Sequence, residues 1–298
     1  MAGKCIEGVI TPLVTPFHKD KSLDYDGFQN LLYTVSKNKF LDGIFILGST
    51  GEWAWINMKE RKKLVDCISK IPKNGKCIII NSSSPNLKKT IEFSEYAAKN
   101  GADAIGIILP KQLTTFKKKF LYMKEINKLG IPIMIYQINN SKSSLSLSDM
   151  EKLIELENVK GIKDSSSSKN MKRHVEYLRL FRKHLSILQG IENLYLSSII
   201  VGSAGVVGGG CNVYPQLFKK IKDSFKSGNI EEAMKIQNSI NDFIELIYEG
   251  NSGEMAMKYY LTLEGVKMDI YCRKDKQFLP EDKRIRIQNL HSSLNSLS

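Results

Sequence analysis

The sequence predicts an α/β protein built as a (β/α)8 TIM barrel with a C-terminal helical extension. Short apolar segments alternate with longer segments whose apolar residues recur every three or four positions, and eight of the short apolar segments lie between Gly8 and Val213 of the 298-residue chain. Alternating strands and helices are typical of parallel βα units. Eight units over this length favour a closed barrel over a doubly wound sheet, which is the alternative architecture.

The individual elements follow from apolar runs and helical periodicity. Strands are assigned to the apolar segments 8–14, 43–47, 77–81, 104–109, 132–136, 159–163, 185–188 and 205–207. Helices are assigned to the amphipathic segments 58–71, 87–100, 116–129, 147–156, 169–184 and 194–202. Gly101 and Gly130 stand where two of these helices are expected to end in a left-handed residue.

The domain organisation follows from what comes after the eighth strand. Three further helical segments, 216–227, 230–248 and 254–263, precede a polar, basic tail. No stretch rich in proline, glycine or serine is long enough to separate two independent domains. We therefore expect a barrel over residues 1–213 and a C-terminal helical appendage over residues 214–298, in one folding unit.

Composition narrows the classes of function. The net charge of +13 raises nucleic acid as a partner, but the lysines are spread along the chain and no RNA- or DNA-binding motif accompanies them. An anionic small substrate or a general lysine bias explains the charge more simply. No apolar run is long enough to cross a membrane and no signal peptide is evident, so neither nucleic acid nor membrane is expected as a partner and the default location is cytoplasmic.

Cysteine and histidine usage gives no sign of a metal or a disulfide framework. The five cysteines are odd in number and lack a CxxC pair, and the four histidines are equally scattered. We therefore expect no metal and no bound cofactor.

In a barrel the active site forms at the carboxyl ends of the strands, which directs attention to the pentapeptide 48–52. Strand two ends in Gly48-Ser49-Thr50-Gly51-Glu52. Two glycines around two hydroxyl residues allow a tight turn that presents backbone N–H groups beside the hydroxyls, which suits a small carboxylate. The alternative is a hydroxyl-rich turn that caps the following helix.

Two further strand ends carry reactive side chains. Alternation places Met134 and Tyr136 on one face, directed inward, although a lone tyrosine at this position also fits simple packing. Alternation also places Lys163 in phase with Val159 and Gly161, and Gly161 leaves room beside the lysine. Burial disfavours the charged ammonium, so an inward amine becomes a nucleophile toward a carbonyl carbon. The alternative is a lysine turned to solvent or paired with Asp164.

Together these groups match the needs of a 2-keto acid. The turn at Ser49 and Thr50 binds the carboxylate, the Tyr136 phenol transfers protons, and the Lys163 amine condenses with the ketone. The protonated imine then accepts electrons and stabilises a carbanion at C3, which either adds to an aldehyde or is released when a C–C bond breaks.

The chain resembles the dihydrodipicolinate synthase / N-acetylneuraminate lyase family of pyruvate-dependent class I aldolases. The motifs that carry the likeness are GSTGE at 48–52, IPIMIYQI at 131–138, VKGIKDSS at 159–166 and LQGIENLYLSSIIVGSAGVVGGGCN at 188–212. The resemblance implies Lys163 as the imine-forming residue, Tyr136 as the proton shuttle, and Ser49 and Thr50 as ligands of the pyruvate carboxylate. It also implies a pyruvate pocket closed by the backbone near Val207, and a homotetramer.

Departures from the family patterns bear on the second substrate. Dihydrodipicolinate synthases usually carry aromatic residues after the strand-four proline, where this chain has Lys111-Gln112, and an arginine after the strand-five tyrosine, where it has none. Sialic acid lyases have two acids after the strand-seven glycine. Here Gly190 is followed by Glu192 and Asn193, so polyol binding is retained in weaker form, with Ser165 placed to join it.

A third pattern concerns Lys111, which resembles the basic residue of archaeal 2-keto-3-deoxygluconate aldolases that meets a substrate phosphate. Lys111 and Lys142 supply such a charge unless both are ordinary surface lysines. The expected activity is therefore reversible cleavage of a 2-keto-3-deoxy sugar acid, resembling 2-keto-3-deoxygluconate or N-acetylneuraminate, to pyruvate and an aldehyde. The alternatives are dihydrodipicolinate synthase and, in another class, a barrel that binds a keto acid without catalysis.

Overall fold

Eight parallel strands form a closed barrel in the part of the chain that this computed structural model describes, residues 6–138, 144–166, 171–251, 253–274 and 278–295. The strands are β1 Gly8–Pro12, β2 Gly43–Ile46, β3 Cys77–Asn81, β4 Ala104–Ile107, β5 Ile133–Ile138, β6 Val159–Ser165, β7 Ser186–Gln189 and β8 Gly205–Val207. Each pairs with the next in sequence, and β8 pairs with β1. The predicted TIM barrel is confirmed.

The same described ranges contain eleven α-helices. They are α1 Tyr25–Lys37, α2 Met58–Asp66, α3 Leu87–Lys99, α4 Phe116–Asn127, α5 Leu147–Leu153, α6 Lys172–Phe181, α7 Tyr195–Ile200, α8 Pro215–Lys226, α9 Ile230–Tyr248, α10 Gly253–Leu263 and α11 Glu281–Asn295. The nine helices assigned from sequence all occur, with ends that differ by a few residues. Gly101 and Gly130 have φ of +103° and +69°, as expected after a helix.

Helix α1 was not among the segments assigned from sequence. Its first turn contains Gly27, and glycine ordinarily lowers helix propensity. Here a Cβ on Gly27 would lie 2.1 Å from Oδ2 of Asp24, whose Oδ1 accepts the Gly27 N–H at 2.7 Å. The glycine therefore makes room for the residue that caps the helix.

The chain end assigned as a polar, basic tail also contains a helix, α11. Its sequence is strongly charged, so that its apolar residues stand far apart. Ile287, Leu290 and Leu294 nevertheless share one face and are buried in the same core cluster as parts of α9 and α10. Tertiary packing on this narrow apolar face stabilises a helix that the composition obscured.

The interior of the barrel is a compact apolar cluster. It includes Phe45, Met134, Tyr136, Leu188 and Val207, which come from β2, β5, β7 and β8. The inward orientation expected for Met134 and Tyr136 is therefore confirmed. Larger clusters between the strands and the helices fill the outer layer.

The pairing of β5 with β6 contains a register irregularity. Ile133 lies opposite Val159, but Met134 lies opposite Gly161, so Lys160 is the extra residue on β6. The expectation that Val159 shares a face with Lys163 is wrong, because Val159 packs in the outer cluster. The space at Gly161 is likewise used by Ile6, whose Cγ2 would lie 3.0 Å from a Cβ at this position.

The C-terminal helices contact the barrel through polar groups as well as apolar packing. Gln237 on α9 accepts the N–H of Leu196 at 2.9 Å and donates to the carbonyl of Glu192 at 3.1 Å. Lys258 on α10 is fully buried, and its Nζ lies 3.0 Å from Oε1 of Glu52. Both contacts reach the loops at the carboxyl ends of the strands, where the candidate site lies.

Candidate active site

Lys163 projects into the barrel from the carboxyl end of β6. It is 3% exposed, and it lies directly opposite Tyr136 on β5. Its Nζ is 4.1 Å from the centre of the Tyr136 ring and 5.5 Å from that of Phe45. An amine in this apolar surrounding is shielded from water and directed at the mouth of the barrel.

Asp164, the next residue along β6, points the opposite way. Its Oδ2 lies 3.0 Å from Nδ1 of His174 on α6, and both side chains are fully buried. Its Oδ1 accepts the backbone N–H of Ser166 at 2.9 Å. Asp164 is therefore engaged by the helix layer and the following loop, and the alternative in which it pairs with Lys163 does not occur.

Tyr136 connects the lysine with the hydroxyl residues at the barrel mouth. Its ring meets Phe45 edge-on, with centroids 6.0 Å apart, and its hydroxyl is 3.3 Å from Oγ of Ser49. Burial alone would raise the pKa of the Tyr136 phenol. The positive charge of Lys163 and hydrogen bonds from Ser49, Lys163 and Ser165 outweigh burial, so the pKa of Tyr136 is lowered.

The loop from Gly48 to Glu52 is a tight turn after β2. The N–H groups of Gly51 and Trp53 donate to the carbonyl of Gly48 at 3.1 and 3.4 Å. A Cβ on Gly51 would lie 2.8 Å from the carbonyl oxygen of Leu13, so glycine is required there. Ser49 is exposed toward the mouth and Thr50 is half-buried, and the Thr50 hydroxyl has no hydrogen bond in the described part of the chain.

Glu52 ends this loop and holds it against the C-terminal residues. Its φ is +56°, and its buried carboxylate receives Lys258 Nζ on one oxygen. The other oxygen accepts the backbone N–H groups of Arg273 at 2.8 Å and Lys274 at 2.9 Å. No sequence motif indicates a role for Lys258, which is 206 positions away from Glu52 in the chain.

On the other side of Lys163, the ends of β7 and β8 bring the predicted polyol-binding residues together. A Cβ on Gly190 would lie 2.1 Å from Oγ of Ser165, so these two residues are in close contact. Glu192 is buried and accepts the N–H of Gly210. Burial raises the pKa of Glu192 to about 7, although the Gly210 N–H and the charge of Lys163 oppose the shift.

Three consecutive glycines, 208–210, follow Val207. Because they lack a Cβ, they leave room for three polar side chains that pack directly against the backbone. A Cβ on Gly208 would lie 2.3 Å from Cγ of Glu192, and one on Gly209 would lie 2.1 Å from the hydroxyl of Tyr248. Tyr214 lies correspondingly close to Gly210. Tyr248 comes from the end of α9, and no motif indicated that its hydroxyl would reach the barrel mouth.

A cavity of about 430 Å³ adjoins Tyr136 at the ends of β3, β4 and β5. Its wall is mainly apolar, with Trp53, Leu109 and Ile138, and Lys111 lies at its rim. Lys111 is therefore near Tyr136, as a ligand of the second substrate would be. Lys142, the other lysine predicted to bind a substrate phosphate, lies outside the described residues.

No group of possible metal ligands includes a residue next to Lys163 in the described part of the chain. Within the described ranges one group, His18, Asp24 and Asp269, has possible ligand atoms within 4.8 Å of one another, and Asp24 already serves as a helix cap. Cys67, Cys211 and Cys272 are buried thiols that form no disulfide. Cys77 takes part in a disulfide, which departs from the expectation for the scattered cysteines. No helix in the described part of the chain is long and apolar enough to cross a membrane.

Comparison with known proteins gives concordant relatives. The model of the dihydrodipicolinate synthetase family matches residues 5–293. The chain is 28% identical to the N-acetylneuraminate lyase of Fusobacterium nucleatum, covering 96% of this chain and 98% of the relative. It is 29% identical to a 4-hydroxy-tetrahydrodipicolinate synthase of Bradyrhizobium diazoefficiens, with 99% of each covered.

A solved structure agrees with these relatives. The crystal structure of N-acetylneuraminate lyase from Fusobacterium nucleatum superposes with a TM-score of 0.87 at 26% identity, covering 97% of this chain and 98% of that one. The barrel, the site at its carboxyl end and the match over almost the whole sequence lead to one assignment. The chain belongs to the dihydrodipicolinate synthetase family, whose members are pyruvate-dependent class I aldolases and lyases.

Proposed function

We propose that this protein reversibly cleaves a 2-keto-3-deoxy sugar acid to pyruvate and an aldehyde through an imine on Lys163. The observation that carries the proposal is the placement of the buried Lys163 amine against Tyr136, with the Tyr136 hydroxyl 3.3 Å from Ser49. A nucleophilic amine, a phenol of lowered pKa and a hydroxyl-rich turn are the groups that imine chemistry on a 2-keto acid requires.

The reaction begins when the neutral amine of Lys163 attacks the C2 ketone. Loss of water leaves a protonated imine, and Tyr136 supplies and removes the protons of these steps. The phenolate form of Tyr136 then takes the proton of the C4 hydroxyl. The C3–C4 bond breaks, its electrons enter the imine as an enamine, and the aldehyde leaves. Protonation at C3 and hydrolysis release pyruvate and restore the amine.

The carboxylate of the keto acid is bound by the turn after β2. In this proposal the hydroxyls of Ser49 and Thr50 and the backbone that follows Gly48 donate to its oxygens, and the backbone at Val207 closes the pocket from β8. These hydrogen bonds are formed in the substrate complex and the transition state alike, so they set affinity for pyruvate more than the rate of bond cleavage.

The polar groups around Ser165, Glu192 and Tyr248 favour a hydroxylated substrate. A carboxyl group with a pKa near 7 is partly neutral at physiological pH and donates as well as accepts hydrogen bonds. A polyol needs both kinds of partner. In the same proposal Lys111 binds an anionic group at the far end of the substrate.

The second candidate is 4-hydroxy-tetrahydrodipicolinate synthase, in which pyruvate condenses with an aspartate-derived aldehyde. A relative bearing that name matches over 99% of this chain, which favours it. The segment 137–142, directly after Tyr136, contains no arginine, which counts against this candidate because the carboxylate of the aldehyde then lacks its usual bidentate partner. We further propose a homotetramer located in the cytoplasm that needs no metal or organic cofactor.

The decisive experiment is borohydride reduction in the presence of pyruvate, followed by peptide mass spectrometry. We expect a pyruvate adduct on the peptide that contains Lys163, and none without pyruvate. Lys160→Arg is the matched control, since Lys160 is on the same strand and outside the barrel interior; it should keep the adduct, whereas Lys163→Arg should lose it. A folded wild-type protein without an adduct would overturn the imine mechanism.

Substrate class is tested separately, by using a coupled reductase to measure the pyruvate that is released in cleavage or consumed in condensation. N-acetylneuraminate, 2-keto-3-deoxygluconate and its 6-phosphate are compared in cleavage, and aspartate semialdehyde is compared in condensation. Faster turnover with any of the sugar acids than with the semialdehyde supports the proposal. Preferential condensation with the semialdehyde would establish the second candidate instead.

A further inference from the structure

A cavity of about 680 Å³ lies at the amino-terminal end of the barrel, at the opposite end from Lys163. It is bordered by the starts of β1 and β3 and by the end of α8. Lysines predominate among its charged groups: Lys39, Lys76, Lys222 and Lys226 face two carboxylates, Glu7 and Asp42. Its volume is within the range of about 300–1,000 Å³ that is typical of small-molecule sites.

Lys76 is the residue that distinguishes this cavity from an ordinary basic surface. It follows a tight turn in which its N–H donates to the carbonyl of Lys73 at 3.0 Å, and Asn74 and Gly75 have φ of +48° and +75°. Positive φ at both central residues is typical of a type I′ turn, which directs the chain straight into β3. Lys76 is thereby fixed at the base of the barrel with 6% of its surface exposed.

The Lys76 ammonium has no hydrogen bond or ion pair within the described part of the chain. Burial lowers the pKa of Lys76, and Asp42 only partly opposes this shift. Asp42 is already occupied, because it accepts the Val9 N–H at 2.8 Å and lies 3.3 Å from Nζ of Lys219. A largely buried cation without a partner is costly, and an anion bound beside Lys76 would offset that cost.

A purely structural role explains only some of the lysines. Lys222 and Lys226 lie in the last turns of α8, where positive charge complements the helix dipole. Lys76 lies in a turn before a strand, so the dipole of a helix does not account for its charge. The four lysines come from three separate segments of the chain and converge on one space.

We propose that this cavity binds a small polyanion of the phosphate class, such as a diphosphate or a phosphorylated metabolite, with Lys76 at its base. The site is separate from the aldolase centre and does not depend on the proposed function. Several convergent ammonium groups suit a ligand with two or more negative charges better than a single carboxylate. Part of the net charge of +13 is thereby explained by lysines that bind an anion at this cavity.

The test is isothermal titration calorimetry of the intact protein with inorganic pyrophosphate, at about 50 mM and about 300 mM salt. Binding at one defined site should persist at the higher salt, whereas diffuse attraction to surface charge is screened. We compare wild type, Lys76→Met, and the double variant Lys222→Met/Lys226→Met. The control is Lys117→Met/Lys118→Met, which removes two exposed lysines of α4 that do not line the cavity. Methionine preserves most of the apolar length of lysine, and circular dichroism verifies folding.

We expect one pyrophosphate per chain, weakened roughly tenfold or more in Lys76→Met and in the double variant, and unchanged in the control. If Lys76→Met does not fold, the double variant against its control decides the question. Equal affinity in all variants, or several weak equivalents that vanish alike at the higher salt, would overturn the proposal and identify the lysines as a general surface charge.

Discussion

The buried ion pair between Glu52 and Lys258 offers a sharp test of how the barrel mouth is held in place. Both side chains are fully buried, and Lys258 Nζ also contacts the carbonyl of Tyr271 at 2.7 Å and Sγ of Cys272 at 3.2 Å. Lys258→Met removes the cation and leaves the Glu52 carboxylate with only the N–H groups of Arg273 and Lys274. Breaking one partner of such a pair costs about 3–5 kcal/mol.

This cost translates into a measurable shift in melting temperature. Unfolding entropy is about 2.1 cal/mol/K per residue, so for 298 residues 3–5 kcal/mol corresponds to a fall of roughly 5–8 °C. Calorimetry at one fixed protein concentration measures it, since an oligomer melts in a concentration-dependent way. Glu52→Gln/Lys258→Met removes both charges and should lose less than the sum of the single variants, with a coupling of about 0.5–3 kcal/mol.

The control is Lys274→Met. Lys274 forms a half-exposed pair with Glu254 at 3.6 Å, which should contribute less than about 1 kcal/mol. Borohydride trapping of pyruvate in the same variants reports on the turn at Ser49, and the yield should fall with Lys258→Met and recover partly in the double variant. A melting temperature for Lys258→Met no lower than that of Lys274→Met would show that the Glu52–Lys258 pair does not stabilise the barrel mouth.

Three further outcomes are expected. Tyr136→Phe should lower turnover by about 10²–10⁴ while pyruvate binding persists, and undiminished turnover contradicts the assigned role. The pKa of Glu192 is raised from 4.5 to about 7 on folding, so the folded state retains a proton that the unfolded state has lost, and stability should fall as pH rises from about 4.5 to 7. Thermal melts at pH 5 and pH 8 should show that Glu192→Gln removes this fall; an unchanged pH dependence would contradict the shift. Tyr248→Phe should raise KM for the sugar acid roughly tenfold with little change for pyruvate, and Tyr33→Phe, an exposed tyrosine on α1, serves as its control.

Much of the architecture was predictable because it depends on local periodicity. All eight strands begin within a residue of their assigned positions, since fully buried parallel strands are continuous apolar runs. The inward direction of Lys163 was expected from alternation, but the sequence left open a pairing with Asp164, and Val159 is out of phase with Lys163 because Lys160 is unpaired. The role of α11 was not predictable, because its narrow apolar face becomes apparent only when α9 and α10 are present to cover it.

The parts of the site that sequence analysis missed are all long-range. Glu52 and Lys258 meet across 206 residues, and nothing near either residue indicates the other. Tyr248 lies in a helix whose periodicity gives no sign that its hydroxyl reaches Gly209. Contacts of this kind depend on how the C-terminal helices dock, and helix patterns alone leave that arrangement open.

The extra residue in β6 has a consequence for how the reactive pair arose. If Lys160 were paired opposite Met134, with no register irregularity, Ile162 would lie opposite Tyr136 and Lys163 would point toward the helices. An amine directed at the helices has no access to substrate. The unpaired Lys160 therefore sets the phase in which the nucleophile and its proton carrier face each other. Deleting Lys160 would close the irregularity and keep Lys163 opposite Tyr136, so the reactive pair should survive that deletion.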